Sequence, residues 1–309
     1  MSDPSILQAA FATINKLKFL YDDAIPWAAI EQGFVCEGKR MHFASRAIGI
    51  FKPADMQQGI LSIKTVVPRA GRINIYDDHQ SSEDFYRYAL QAGNPRGGNN
   101  KYLWQAKELR QPFIYFFGIA PKYYTALWPC YVGEIHEQTK DSYCDVYVGM
   151  QGTERLLPPL EQGQYVIPNS FERRYAVRES KVRLHQSSFR RAVLTAYNNK
   201  CAMTGLPTPQ LLDAAHIIPD SEDHGEASVR NGIALSKLHH SAFDKNLIGI
   251  DADFRIHVSD RIMVSKDGPL LEQGIKGLQG KIIQLPQTEG MQPNQEFLAS
   301  RFEAFKQAN

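Results

Sequence analysis

Residues 201–260 read CAMTGLPTPQLLDAAHIIPDSEDHGEASVRNGIALSKLHHSAFDKNLIGIDADFRIHVSD. The run Leu211–Ile218 has the apolar content and length of a strand, and it carries His216. Pro219–Val229 is a polar loop, closed by Asn231-Gly232. Ile233-Ala234-Leu235 is apolar, and Ser236 is suited to cap a short helix over Lys237–Phe243. That helix presents His239 and His240 at adjacent positions. Leu247–Ile250 and Arg255–Val258 read as a closing hairpin. A strand with a histidine, a loop with an asparagine and a helix with a second histidine therefore follow one another within a single compact module.

Phosphodiester hydrolysis needs these residue types. Water is a poor nucleophile at neutral pH, and an imidazole of ordinary pKa can take its proton. Negative charge develops on the phosphate and on the leaving oxygen, where a divalent cation stabilises it. A carboxylate or amide oxygen and a second imidazole can hold such an ion while leaving positions open. An asparagine can fix the loop or orient the base histidine. On a strand Asp213 and Ala215 share one face, and His216 points to the other.

Just upstream, residues 171–197 predict a helix, with a break near Ser187-Ser188. Arg173, Arg174, Arg178, Lys181, Arg183, Arg190 and Arg191 outnumber its acids. Such a run is either a solvated face or a set of phosphate contacts. Residues 156–168 are proline-rich and read as the start of a linker. The expected organisation is an N-terminal domain over 1–155, a linker over 156–180 and a C-terminal domain over 181–309.

The N-terminal half opens on a helix capped by Ser2 or Asp3, with Ile6, Leu7, Ala10, Phe11, Ile14, Leu17 and Leu20 at helical spacing. Short strands follow. Phe34–Cys36 and Met41–Phe43 form a hairpin around Glu37-Gly38, and Ile60–Val66, Tyr76–Asp78 and Tyr86–Tyr88 come next. Gly93–Asn100 is a loop in which Arg96 either meets a phosphate or sits in an ordinary turn. A helix over Lys101–Leu109 precedes Pro112–Ile119, an apolar run that reads as a buried central strand. Leu127–Ile135 and Cys144–Val148 are further strands. Many strands and few helices imply a small, partly closed β-barrel, and the whole chain is α+β. Tyr123, Tyr124 and Trp128 are the candidates for lining a pocket around a flipped base, the two tyrosines as loop-tip residues.

Composition excludes several classes. The chain has 309 residues and a net charge of +2, so any nucleic-acid surface must be local. Its 4 cysteines form no CxxC pair, which fits a reducing compartment and offers no disulfide or zinc framework. No signal peptide and no membrane span are read, so a soluble cytoplasmic protein is expected.

Cys201-Ala202-Met203-Thr204-Gly205, Leu212–Ile217, Asn231-Gly232 and His240-Ser241-Ala242-Phe243-Asp244 together resemble the HNH endonuclease family with its ββα-metal fold. Arg183–Gln186 and Phe189-Arg190 extend the resemblance, which covers about residues 180–265. It implies His216 as general base, His240 as metal ligand and Asn231 as the middle residue of the order. Many HNH sites place an aspartate just before the base. Here Ala215 stands there, and Asp213 is the substitute candidate for the metal. Thr204 occupies the place of a second zinc-ribbon cysteine, so no structural zinc is expected and Cys201 belongs to the core. One divalent ion (Mg²⁺, Mn²⁺ or Ni²⁺) is the expected cofactor.

More diffusely, residues 49–65, the loop before Asn100 and residues 112–132 resemble the front domain of modification-dependent HNH restriction enzymes, an SRA-like or PUA-like barrel that flips a modified cytosine. The expected partner is then double-stranded, modified DNA. Double-strand cleavage by single HNH sites calls for a homodimer or two binding events. Two other readings stay open: an anti-phage defence effector activated by a nucleotide signal, and a non-catalytic DNA-binding protein.

Overall fold

The computed structural model describes residues 2–65, 85–138, 141–149, 170–220, 222, 225, 227–266 and 268–309, and the chain forms two compact units, Met1–Ser187 and Ser188–Asn309. No helix among the described residues is long and apolar enough to cross a membrane.

The N-terminal unit begins with α1 (Asp3–Tyr21). Its cap is Ser2, which accepts from the Ser5 N–H. Ile6, Leu7, Ala10, Phe11 and Ile14 are buried as the spacing predicts, but the stripe ends early and Leu20 is exposed. β1 (Ile25–Pro26) and α2 (Trp27–Glu31) lead to a hairpin of β2 (Phe34–Cys36) and β3 (Lys39–Met41). Glu37 and Gly38, both at positive φ, make the two-residue turn that suits the twist of paired strands. Pairing of Phe34 with Met41 starts the second strand at Lys39, two residues earlier than expected.

β4 (Ile50–Phe51), β5 (Ser62–Lys64), β6 (Tyr86–Ala89), α3 (Asn100–Leu109), β7 (Phe113–Ala120), β8 (Tyr123–His136) and β9 (Tyr143–Val148) complete the unit's strands. The main sheet runs β4-β5-β7-β8-β9-β6, with β1 added on β8. Its end strands β4 and β6 share no ladder among the described residues, so the sheet is a half-barrel rather than a closed one. β7 is the buried central strand. Ile114 and Phe116 enter one core with α1, while Phe113 and Tyr115 enter the opposite one with α3. Alternation on a strand explains the split. Tyr76–Asp78 and residues 156–169 of the expected linker lie outside the described residues.

Residues 170–180, counted in that linker, form the first turns of α4 (Ser170–Ala196), which matches the helix expected over 171–197. The helix runs unbroken through Ser187-Ser188, where the sequence suggests a break, and the boundary between the units falls there.

In the C-terminal unit, β10 (Leu212–His216) pairs antiparallel with β11 (Gly232–Ser236), and α5 (Lys237–Asp244) follows directly. β12 (Ile248–Ile250) and β13 (Ile256–Val258) form the predicted hairpin. α6 (Asp260–Val264), α7 (Pro269–Gly274) and α8 (Gln295–Ala308) complete the unit. Val193, Leu194, Cys201, Ala215, Ile233, Phe243, Ile248 and Leu298 share its core, which fixes the ββα module from both sides.

Candidate active site

His216 ends β10 and lies flat on Phe189, with centroids 3.9 Å apart and planes at 11°. Its register partner is Gly232. A Cβ at Gly232 would stand 2.4 Å from Val193 Cγ2 and 2.9 Å from Phe189 Cζ, so this approach requires glycine. The ring plane of His216 is therefore set by packing beneath it.

Asn231 is fully buried and does not point into solvent. Its side chain accepts from the Ile218 N–H and donates to the Ile218 carbonyl, each at 2.9 Å. Its own carbonyl accepts from the Ile217 N–H at 2.9 Å. Asn231 thus clasps the two residues after His216 and pins the backbone from which that imidazole projects.

Ser236 caps α5 by accepting from the His239 N–H. The helix then divides its two histidines. His239 turns into the core, where Nε2 donates to the Gly274 carbonyl at 2.8 Å and Nδ1 meets Ser236 Oγ at 2.7 Å. Cys201 Sγ lies 3.8 Å from the same Nδ1. Burial raises the Cys201 thiol, but hydrogen bonds with His239, Thr204 and the Ser236 N–H outweigh it and bring it to about 7.

His240 turns to the cleft. Its Nδ1 is 3.1 Å from Asp213 Oδ2, and its Nε2 is 3.3 Å from Asp244 Oδ2. The hydrogen bond to Asp213 is the chief cause that raises the His240 pKa, against the opposing effect of burial. At Asp213, burial pushes the carboxyl up, but His240, Arg190 and the Ala214 N–H together hold it below its ordinary value. Asp213 therefore lies behind His240 and holds its imidazole from the back.

A cleft of ≈ 530 Å³ is lined by His216, Asp220, Glu222, His240, Asp244 and Arg301, among others. Among the described residues no three His, Cys, Asp or Glu side chains gather into a metal-holding group. The pair His240 Nε2 and Asp244 Oδ2 is nonetheless a nitrogen–oxygen donor set on the cleft side. It fits a divalent cation that takes its other ligands from water and phosphate. Asp244 sits one helical turn after His240. That i, i+4 spacing was the signal that sequence reasoning left unused.

The expected DNA contacts separate. Arg190 is largely buried and donates to the Pro209 and Leu212 carbonyls, each at 2.9 Å, with Nε 3.6 Å from Asp213 Oδ1. Its guanidinium ties α4 to β10, which corrects its placement on a DNA-facing surface. Arg191 donates to Asn199 Oδ1 at 3.1 Å. Arg173 covers the Tyr147 ring at 4.2 Å. Arg96 grips Glu137 with both Nε and Nη2 and covers Trp104. Arg174 and Arg178 are exposed on α4, and Lys181 and Arg183 are half-buried.

The expected base-pocket residues separate too. Trp128 is buried and stacks on Phe11 at 5.0 Å, so its ring serves the core rather than a pocket. Tyr123 and Tyr124 are half-buried, and they begin β8 rather than forming a loop tip. They pair with Pro26 and Ile25 of β1, and Tyr124 packs edge-on against Trp27.

Residues 201–251 match the family model described as HNH endonuclease. The C-terminal unit thus carries an HNH nuclease domain, and the protein is a hydrolase acting on nucleic acid. Among solved structures the chain is similar to the "Modification dependent TagI restriction endonuclease", with 13% identity and a TM-score of 0.31. That similarity covers 80% of this chain and 82% of the other. No curated protein matches.

Proposed function

We propose that the protein is a metal-dependent DNA endonuclease whose N-terminal unit directs it to DNA carrying a modified cytosine. The observation that carries the catalytic half is the single cleft that brings together His216, His240 and Asp244, residues within the segment matched by the HNH family. The targeting half rests on the resemblance of residues 49–65 and 112–132 to modified-cytosine readers, and on the open sheet they help to form.

In this reading His216 takes the proton from the attacking water, in the ring plane fixed by Phe189 and Asn231. His240 and Asp244 would hold the divalent cation, whose chemistry when bound would be to offset the charge developing on phosphate and leaving oxygen. Asp213 is a positioning residue. It orients His240 and raises its basicity from behind, as outer carboxylates do for metal-bound imidazoles. Exposed Arg174 and Arg178 meet the DNA backbone. One such cleft cuts one strand, so double-strand cleavage takes a second copy or a second binding event.

The test is cleavage of matched duplexes carrying cytosine, 5-methylcytosine or 5-hydroxymethylcytosine, with Mg²⁺, Mn²⁺ or Ni²⁺ and with chelator. Metal-dependent cutting that favours a modified duplex is expected. Equal cutting of all three sinks the targeting half, and cutting in chelator sinks the metal.

A further inference from the structure

Arg301 reaches the cleft from the last helix of the chain. α8 is seated by Phe305, whose ring occupies the space a side chain at Gly249 would need. A Cβ there would stand 2.6 Å from Phe305 Cγ. Four residues earlier, on the same helix face, the Arg301 guanidinium lies 4.8 Å from the Phe243 ring centroid. One Nη donates to Asn246 Oδ1, and the other donates to the Phe243 carbonyl at 2.6 Å.

Both acceptors are neutral, and among the described residues no carboxylate forms an ion pair with Arg301. A guanidinium carries five N–H donors in a rigid fork, so three donors and the full charge remain beyond those two bonds. Burial lowers the Arg301 pKa, with Asp244 and Glu222 acting in the opposite sense. The cation is thus held in a partly desolvated place, lining the same cleft as His216 and His240. A braced guanidinium with donors to spare matches a phosphate group in shape and charge.

We propose that Arg301 binds a non-bridging oxygen of the DNA phosphate held in this cleft, and so stabilises the charge that hydrolysis places there. The inference rests on the nuclease reading of the cleft. Its competitor is a purely structural arginine that caps the C-terminal carbonyls of α5.

The full-length wild type, R301Q and R301K are compared by thermal unfolding, calorimetric Mn²⁺ binding and single-turnover cleavage. DNA affinity is measured as a function of salt, each variant being placed on an H216A background. R301Q is expected to bind Mn²⁺ as the wild type does, to cut about 10²–10³-fold more slowly, and to lose about one unit from the salt slope. R301K keeps the charge and the slope but loses part of the rate. A lower unfolding temperature with cleavage within about threefold of wild type and an unchanged slope would show a cap only, and would overturn the proposal, since one lost phosphate contact should cost more. A wild type that never cuts defeats the nuclease reading instead, which keeps the two failures distinct. Should R301Q not fold, phenylglyoxal modification of the wild-type chain is read by peptide mass spectrometry. Protection of Arg301 by duplex DNA is then expected, and equal modification with and without DNA overturns the proposal.

Discussion

The ββα module and the half-barrel treat their conspicuous residues in opposite ways. In β10, β11 and α5 the polar residues that stand out in the sequence have defined places at or under the cleft. His216 and His240 line it, and Asn231 clasps the backbone beneath it. In the half-barrel the aromatics that stand out are largely consumed by packing. Tyr86, Tyr88, Tyr115 and Trp128 are buried, and Trp128 is stacked on α1. The difference has a physical source. A histidine or asparagine in an apolar module must be satisfied by specific partners, so its position is informative. A buried aromatic ring gains from contact with any apolar surface, so its presence alone does not point to a ligand.

The comparison breaks most sharply at His216. H216A is expected to lower cleavage by about 10²–10⁴-fold while DNA binding persists in a mobility-shift assay. Unaltered cleavage would remove the base from the mechanism. Next in size is Trp128. W128A is expected to destabilise the N-terminal unit by about 3–5 kcal/mol, read by denaturant unfolding of the full chain. Undiminished stability together with lost discrimination between modified and unmodified DNA would return Trp128 to a pocket.

N231A tests the clasp. It leaves the Ile218 N–H and carbonyl without their side-chain partner, at about 1–3 kcal/mol for each group. Unfolding should shift accordingly and cleavage should fall with it. A stable but inactive N231A would instead give Asn231 a direct part in the chemistry.

The smallest effect is the pH dependence set by Asp213 and His240. Asp213 is depressed in the folded protein, so its contribution is present above the ordinary 3.8 and is lost as pH falls through the lowered value. His240 is raised, so its contribution is present below the ordinary 6.5 and is lost as pH rises through the raised value. The stability difference between wild type and D213N should therefore be greatest between those two values and shrink on either side. Thermal unfolding across pH measures it, and a difference that does not change with pH dissolves the pair.

Legibility followed sequence distance. The Ser236 cap and the Glu37-Gly38 turn each arise within a few residues, where local propensity already fixes direction. Asp213 was visible as a carboxylate on the right strand. Its direct hydrogen bond to His240, 27 residues away, was not. Arg190 looked like a surface cation in a basic run until β10 packed beside it and supplied two carbonyls.

The sequence by itself determined the module: the order of His216, Asn231 and His240, and the cap that starts α5. These depend on local geometry and on short-range pairing. The tertiary structure alone decided that Asp213 stands behind His240. It also decided that Trp128 belongs to the core, and that Arg301 arrives beside the cleft from 58 residues beyond Phe243. Such contacts come from docking α4 and α8 on a shared core, and docking is settled by shape and burial over the whole unit rather than by any short run of residues.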